Sequence, residues 1–139
     1  MEELTERLYT TSATAHGGRR GHVRSADAII DLDLGTPGAP GPAKANPETL
    51  FAAGYAACFQ NALLNRARAA GADASASLVT AHVSLGRTSD EQFGIAVELS
   101  VEWPDVDRDQ AQQLVDLAHQ FCPYSKATRG NIAVTVTLK

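Results

Sequence analysis

The stretch "NPETLFAAGYAACFQNALLNRARAAG", residues 46–71, constrains this chain most. Asn46 is suited to cap a helix, Pro47 to its first position and Glu48 to its first turn, and Gly71 supplies a C-terminal stop. The predicted helix therefore runs from Pro47 to about Ala70. Residues 50–59 are apolar on every side, and a helix of that kind must be covered all round. A chain of 139 residues has limited material for this, so a partner subunit is expected.

The flanking segments read as strands. Residues 5–34 fit strand, turn, strand: Leu8, Thr10, Ser12 and Thr14 form an extended run, Gly17 and Gly18 break it, and Arg19 and Arg20 follow on the turn. Ile30, Leu32 and Leu34 then alternate with Asp31 and Asp33, the period of a half-buried strand. Residues 35–46, rich in Gly and Pro, form a loop. Residues 77–87 and 93–103 are two strands joined by the polar turn "TSDEQ". A second helix follows, capped by Asp105 or Asp107, with a stripe of Leu114, Leu117, Ala118 and Phe121, and Pro123 disturbs it. "NIAVTVTLK" is a last strand. The order β-β-α-β-β-α-β predicts an α+β fold with a mostly antiparallel sheet and helices on one face, in a single domain over 1–139.

The formal net charge is −4 and no basic stripe is present, which argues against nucleic acid and anionic membranes as partners. The N-terminus lacks the basic-then-apolar order of a signal peptide, and the longest apolar run, "LFAAGYAACF", is too short to span a bilayer. The expected location is the cytoplasm. There a disulfide between the two cysteines, Cys58 and Cys122, would be transient rather than structural.

On composition alone both cysteines read as small buried hydrophobes. Cys58 lies among Ala56, Ala57 and Phe59, and Cys122 at a helix C-terminus, and neither setting favours a thiolate. A chemical role for Cys58 needs a cation from elsewhere: Arg19 and Arg20 are candidates, with Glu48 as the anion to hold one. A solvated turn and ordinary helix-end charge explain the same residues without function. His119 and Cys122 share a helix face, but no further ligand spacing supports a metal, and no cofactor is expected.

Three stretches, "ATAHGGRRGHV", "NPETLFAAGYAACF" and "AHQFCPYSKATRGNI", resemble the organic hydroperoxide resistance (Ohr) proteins, within the superfamily that includes osmotically inducible protein C (OsmC). The resemblance covers nearly the whole chain, and Tyr124 favours the Ohr branch. It implies an intertwined homodimer with long central helices and active sites at the subunit interface. It also implies a thiol peroxidase for organic hydroperoxides. In that reading Cys58 is the peroxidatic cysteine, Cys122 resolves it as a disulfide, Arg19 stabilises the thiolate and Glu48 pairs with Arg19. Dihydrolipoyl-bearing proteins would be the reductant. Leu50, Phe51, Tyr55 and Phe59 would supply an apolar pocket for the organic group. Arg20 departs from many relatives, which carry an acidic or neutral residue there. Glu48 and Cys58 lie ten residues apart, about 15 Å along one straight helix, so either the helix bends near Gly54 or Arg19 and Glu48 reach Cys58 across subunits. The competing readings are an OsmC-type peroxidase of different substrate range and a non-catalytic binder of small apolar ligands. A protein thiol-disulfide oxidoreductase ranks behind both, because no CxxC motif is present.

Overall fold

The computed structural model describes residues 1–139. They form two compact units, Met1–Pro47 and Glu48–Lys139. The class is α+β as the sequence predicts, with the strands divided between two three-stranded sheets.

The first unit holds β1 (Ala13–His16), β2 (His22–Ser25) and β3 (Asp31–Asp33), antiparallel in that order. Its first strand is shorter than the run from Leu8, and β2 is an additional strand. The reason lies in the 25–30 turn. Ser25 N–H donates to the Ile30 carbonyl, Asp27 accepts from Ser25 Oγ and from Ile29 N–H, and Ala28 takes φ 60°. This turn ends β2 at Ser25, opposite Ala13, so the ladder stops there. Leu8 and Tyr9 beyond it are exposed. Arg19 and Arg20 lie in a 3₁₀ turn, Gly18–Arg20, entered through Gly17 at φ 76°.

Helix α1 spans Pro47–Ala69, all but its first residue in the second unit, and is continuous through Gly54. It closes as the sequence predicts: Gly71 takes φ 74°, its N–H donates to the Arg68 carbonyl, and Ala72 N–H donates to the Ala67 carbonyl. This pair of bonds is the Schellman pattern. Within this chain the helix is covered on one side only. Tyr55, Phe59, Ala62, Leu63 and Ala67 are buried, while Ala53 and Ala57 are exposed.

Strands β4 (Leu78–Arg87) and β5 (Phe93–Glu102) form the expected antiparallel hairpin. β6 (Val134–Leu138) pairs with β5 in parallel, so this sheet is mixed. Val97, Leu99 and Val101 of β5 are buried with the α1 face in one core. Two side chains tie the loop after α1 to that core: Gln60 Nε2 donates to the Ser77 carbonyl at 2.6 Å, and Trp103 Nε1 to the Asp73 carbonyl at 3.2 Å.

The crossover from β5 to β6 carries α2 (Arg108–Phe121) and α3 (Pro123–Thr128). Asp107, not Asp105, caps α2, accepting from Gln110 N–H at 3.0 Å. The buried stripe is Ala111, Leu114, Val115 and Ala118, and Leu117 and Phe121 are exposed, a phase different from the predicted one. Phe121 instead lies under the Arg66 guanidinium, 4.3 Å from its centroid. The corrected stripe continues one turn on to Cys122, which is fully buried. No helix is long and apolar enough to cross a membrane.

Candidate active site

Pro123 does not merely disturb α2. Cys122 leaves the helical region (φ −62°, ψ 124°) and serves both as the C-cap of α2 and as the N-cap of α3, with Pro123 opening α3. A proline is disfavoured inside a helix and favoured at its first position, so one residue ends one helix and begins the next. Cys122 N–H donates to the Ala118 carbonyl at 2.8 Å, and its own carbonyl accepts from Lys126 N–H at 2.9 Å. Its backbone is thus fixed from both sides.

This junction brings the two cysteines together. Both are free thiols, with Sγ atoms 3.6 Å apart across 64 residues of sequence. Cys122 is buried and Cys58 half-buried on α1. Burial pushes the Cys58 thiol above its ordinary value, the backbone N–H of Tyr124 pulls the other way, and the second thiol adds to the rise. Either thiol can donate in such a pair, and burial decides the net direction. Tyr124 N–H therefore offers a donor to sulfur at the point where a thiolate would form.

Phe51, Tyr55 and Tyr124 form an aromatic trio with centroids 5.7 to 6.1 Å apart. Phe51 and Tyr124 also line a cleft of about 440 Å³ with Ile95, Ala127, Thr128, Asn131 and Ile132. Of the predicted pocket residues, Phe51 lines this cleft and Leu50 is half-buried. Tyr55 and Phe59 are fully buried, Phe59 with its ring 6.4 Å from that of His119. Ile95, Tyr124 and Ile132 are not among the predicted pocket residues: each contributes from a different part of the fold, and although Tyr124 stands in a motif that carries the resemblance, nothing along the chain assigns it to a cleft wall. Glu48 lies half-buried in the first turn of α1, and Arg19 stands exposed on the 3₁₀ turn of the first unit.

The family model for OsmC-like protein matches residues 38–137. The chain is 49% identical over 135 residues to the organic hydroperoxide resistance protein OhrB of Bacillus subtilis, covering 95% of this chain and 98% of that protein. It is 48% identical over 139 residues to an organic hydroperoxide resistance protein of Xanthomonas axonopodis pv. citri, covering 94% of each. The crystal structure of B. subtilis OhrB superposes with a TM-score of 0.91 at 48% identity, over 96% of this chain and all of the other.

Proposed function

Since the chain belongs to the OsmC-like family, on its organic hydroperoxide resistance side, we propose that it is a cysteine peroxidase that reduces organic hydroperoxides to alcohols. The observation that carries this reading is the thiol pair at 3.6 Å beside an apolar cleft. Tyr124 joins the two, with its N–H toward Cys58 and its ring in the cleft wall.

The chemistry has two steps. The Cys58 thiolate attacks the terminal oxygen of the hydroperoxide: an S–O bond forms, the O–O bond breaks, and the alkoxide leaves with a proton as alcohol. Cys122, having lost its own proton, then attacks the Cys58 sulfenic acid: an S–S bond forms and hydroxide leaves as water. Closure requires the sulfurs to approach from 3.6 Å to about 2.05 Å. A buried resolving thiol this close protects Cys58 from irreversible oxidation. The apolar cleft favours an organic peroxide over hydrogen peroxide, which gains nothing from apolar walls.

Burial, with the neighbouring Cys122 thiol, raises the Cys58 pKa and disfavours the thiolate, so the mechanism needs a cation. Arg19, held by Glu48, fills that role in the proposal. Dihydrolipoyl groups on partner proteins reduce the disulfide. The working form is a cytoplasmic homodimer of a single-domain chain, with Arg19 and Glu48 acting across subunits. The exposed side of α1 at Ala53 and Ala57 supports a covering partner.

The test is consumption of tert-butyl hydroperoxide with dihydrolipoamide as reductant, for wild type and Cys58→Ser. Turnover lost in the variant is expected. No turnover in wild type, with both thiols intact and titratable, would refute the proposal and leave a binder of small apolar ligands.

A further inference from the structure

A largely buried chain of polar groups runs beside the thiol pair, and none of its members makes or breaks a covalent bond in the two steps above. His119 Nδ1 lies 2.9 Å from Ser125 Oγ, Ser125 Oγ 3.0 Å from Tyr55 OH, and Tyr55 OH 3.1 Å from Thr128 Oγ1. Thr128 Oγ1 donates to the Tyr124 carbonyl at 2.9 Å, with the Ser125 carbonyl at 3.2 Å. Tyr55, Ser125 and Thr128 are all buried.

The protons in this chain run one way. A carbonyl only accepts, so the Thr128 hydroxyl proton is committed to it. Thr128 Oγ1 must then accept from Tyr55, Tyr55 from Ser125, and Ser125 from a protonated His119 Nδ1. Each hydroxyl donates once and accepts once, and the bonds reinforce one another. His119 is thereby held as the Nδ1–H tautomer. Its burial and the Arg129 charge lower the imidazole pKa against Asp116, which favours the neutral ring.

The chain joins three helices: Tyr55 is on α1, His119 on α2, and Ser125 and Thr128 on α3. Tyr55 lies three residues before Cys58 and Ser125 three after Cys122, so this brace runs alongside the sulfur pair. α3 has six residues, too few to be stable unaided. Because the Cys122 backbone is bonded to α2 and α3, the position of Cys122 relative to Cys58 follows where the brace holds α3.

We infer that Ser125, with His119, Tyr55 and Thr128, positions Cys122 for the resolving step, and so sets the rate of disulfide closure against over-oxidation of Cys58. The inference rests on the peroxidase reading. The competing step is attack by the sulfenic acid sulfur on a second hydroperoxide, giving a sulfinic acid and a second alcohol. That step does not use Cys122, so loosening the brace slows closure selectively.

The experiment follows reduced wild type, Ser125→Ala, His119→Ala and His119→Asn after a pulse of cumene hydroperoxide, by rapid acid quench and intact-protein mass spectrometry. Circular dichroism establishes that each is folded. Asparagine places an amide N–H near the position of Nδ1, so it tests for rescue. In Ser125→Ala and His119→Ala the ratio of closure rate to first-oxidation rate should fall by on the order of tenfold, since small misplacements of reacting groups cost that much or more. Doubly oxygenated Cys58 should accumulate in both, and His119→Asn should regain much of the ratio. An unchanged ratio in both alanine variants, or equal slowing of the two steps, would overturn the inference while leaving the peroxidase reading standing. If wild type forms no Cys58–Cys122 disulfide with peroxide, both fall together.

Discussion

Gly54 sits in the middle of α1, where glycine costs about 1 kcal/mol relative to alanine. The structure shows what occupies the vacant space. A Cβ at this position would stand 2.9 Å from Tyr124 Oη, 3.2 Å from Cε2 and 3.4 Å from Cζ. The nearest atom is the far end of a partly exposed ring, so Tyr124 would move rather than the helix. Moving it weakens its contacts with Phe51 and Tyr55, each worth about 0.5–1.5 kcal/mol. Gly54→Ala therefore sets a helix gain of about 1 kcal/mol against a loss of similar size, and its net effect in urea unfolding should lie within about 1 kcal/mol of zero. Tyr124→Phe removes the atom at 2.9 Å and leaves 3.2 Å as the closest approach. In that background Gly54→Ala should be more favourable by about 0.5–1 kcal/mol, read as the coupling in a double-mutant cycle. On the peroxidase reading the displaced ring also reshapes the cleft wall, so KM for the bulkier cumene hydroperoxide should change more than KM for tert-butyl hydroperoxide. Coupling below about 0.3 kcal/mol would refute the claim that Tyr124 seats on Gly54.

Three further outcomes are expected. Leu63→Ala, at a fully buried α1 position, should cost about 2–5 kcal/mol in urea unfolding, and a loss below about 1 kcal/mol would contradict its place in the core. His22 is bonded to Asp33 at Nδ1 (2.8 Å) and to Asp31 at Nε2 (2.5 Å), which raises its pKa above 6.5 and lowers that of Asp33. Its stabilisation of the β2–β3 pairing is full below the unfolded His pKa and fades as pH rises through the raised value, while the Asp33 share is lost as pH falls through its lowered one. In an NMR titration Asp33→Asn should bring the His22 midpoint down, and an unchanged midpoint would refute the clasp. Mixed dimers of a Cys58→Ala chain and a Glu48→Ala chain should recover to about half of wild-type activity if the site is built across subunits; two dead sites per dimer would exclude that arrangement.

What the sequence disclosed and what it hid follow from the range of the interactions involved. The ends of α1 are legible because Pro47 and Gly71 act through their own backbone conformations and Asn46 is a residue type that caps the turn directly after it, and β5 because Val97, Leu99 and Val101 alternate within one strand. β2 was hidden because "HVRS" carries no apolar alternation; its partners, not its side chains, make it a strand. The α2 stripe expected from the sequence differs in phase from the buried one because Leu117 and Phe121 have the side chains of core residues, although Phe121 pairs with Arg66 at the surface. The site shows the same division more sharply. Composition left Cys58 and Cys122 as two separate fillers, and only the resemblance linked them, because their contact spans 64 residues. By its ring Tyr55 reads as a pocket wall, but its hydroxyl serves as a joint between α1 and α3. Pro123, read as a helix breaker, starts α3 and so presents Tyr124 N–H to Cys58. A motif read along the chain identifies residue types. Whether Cys122 can reach Cys58 is decided by side chains of three helices, and Ser125, which ties them together, belongs to no pattern that spacing alone could reveal.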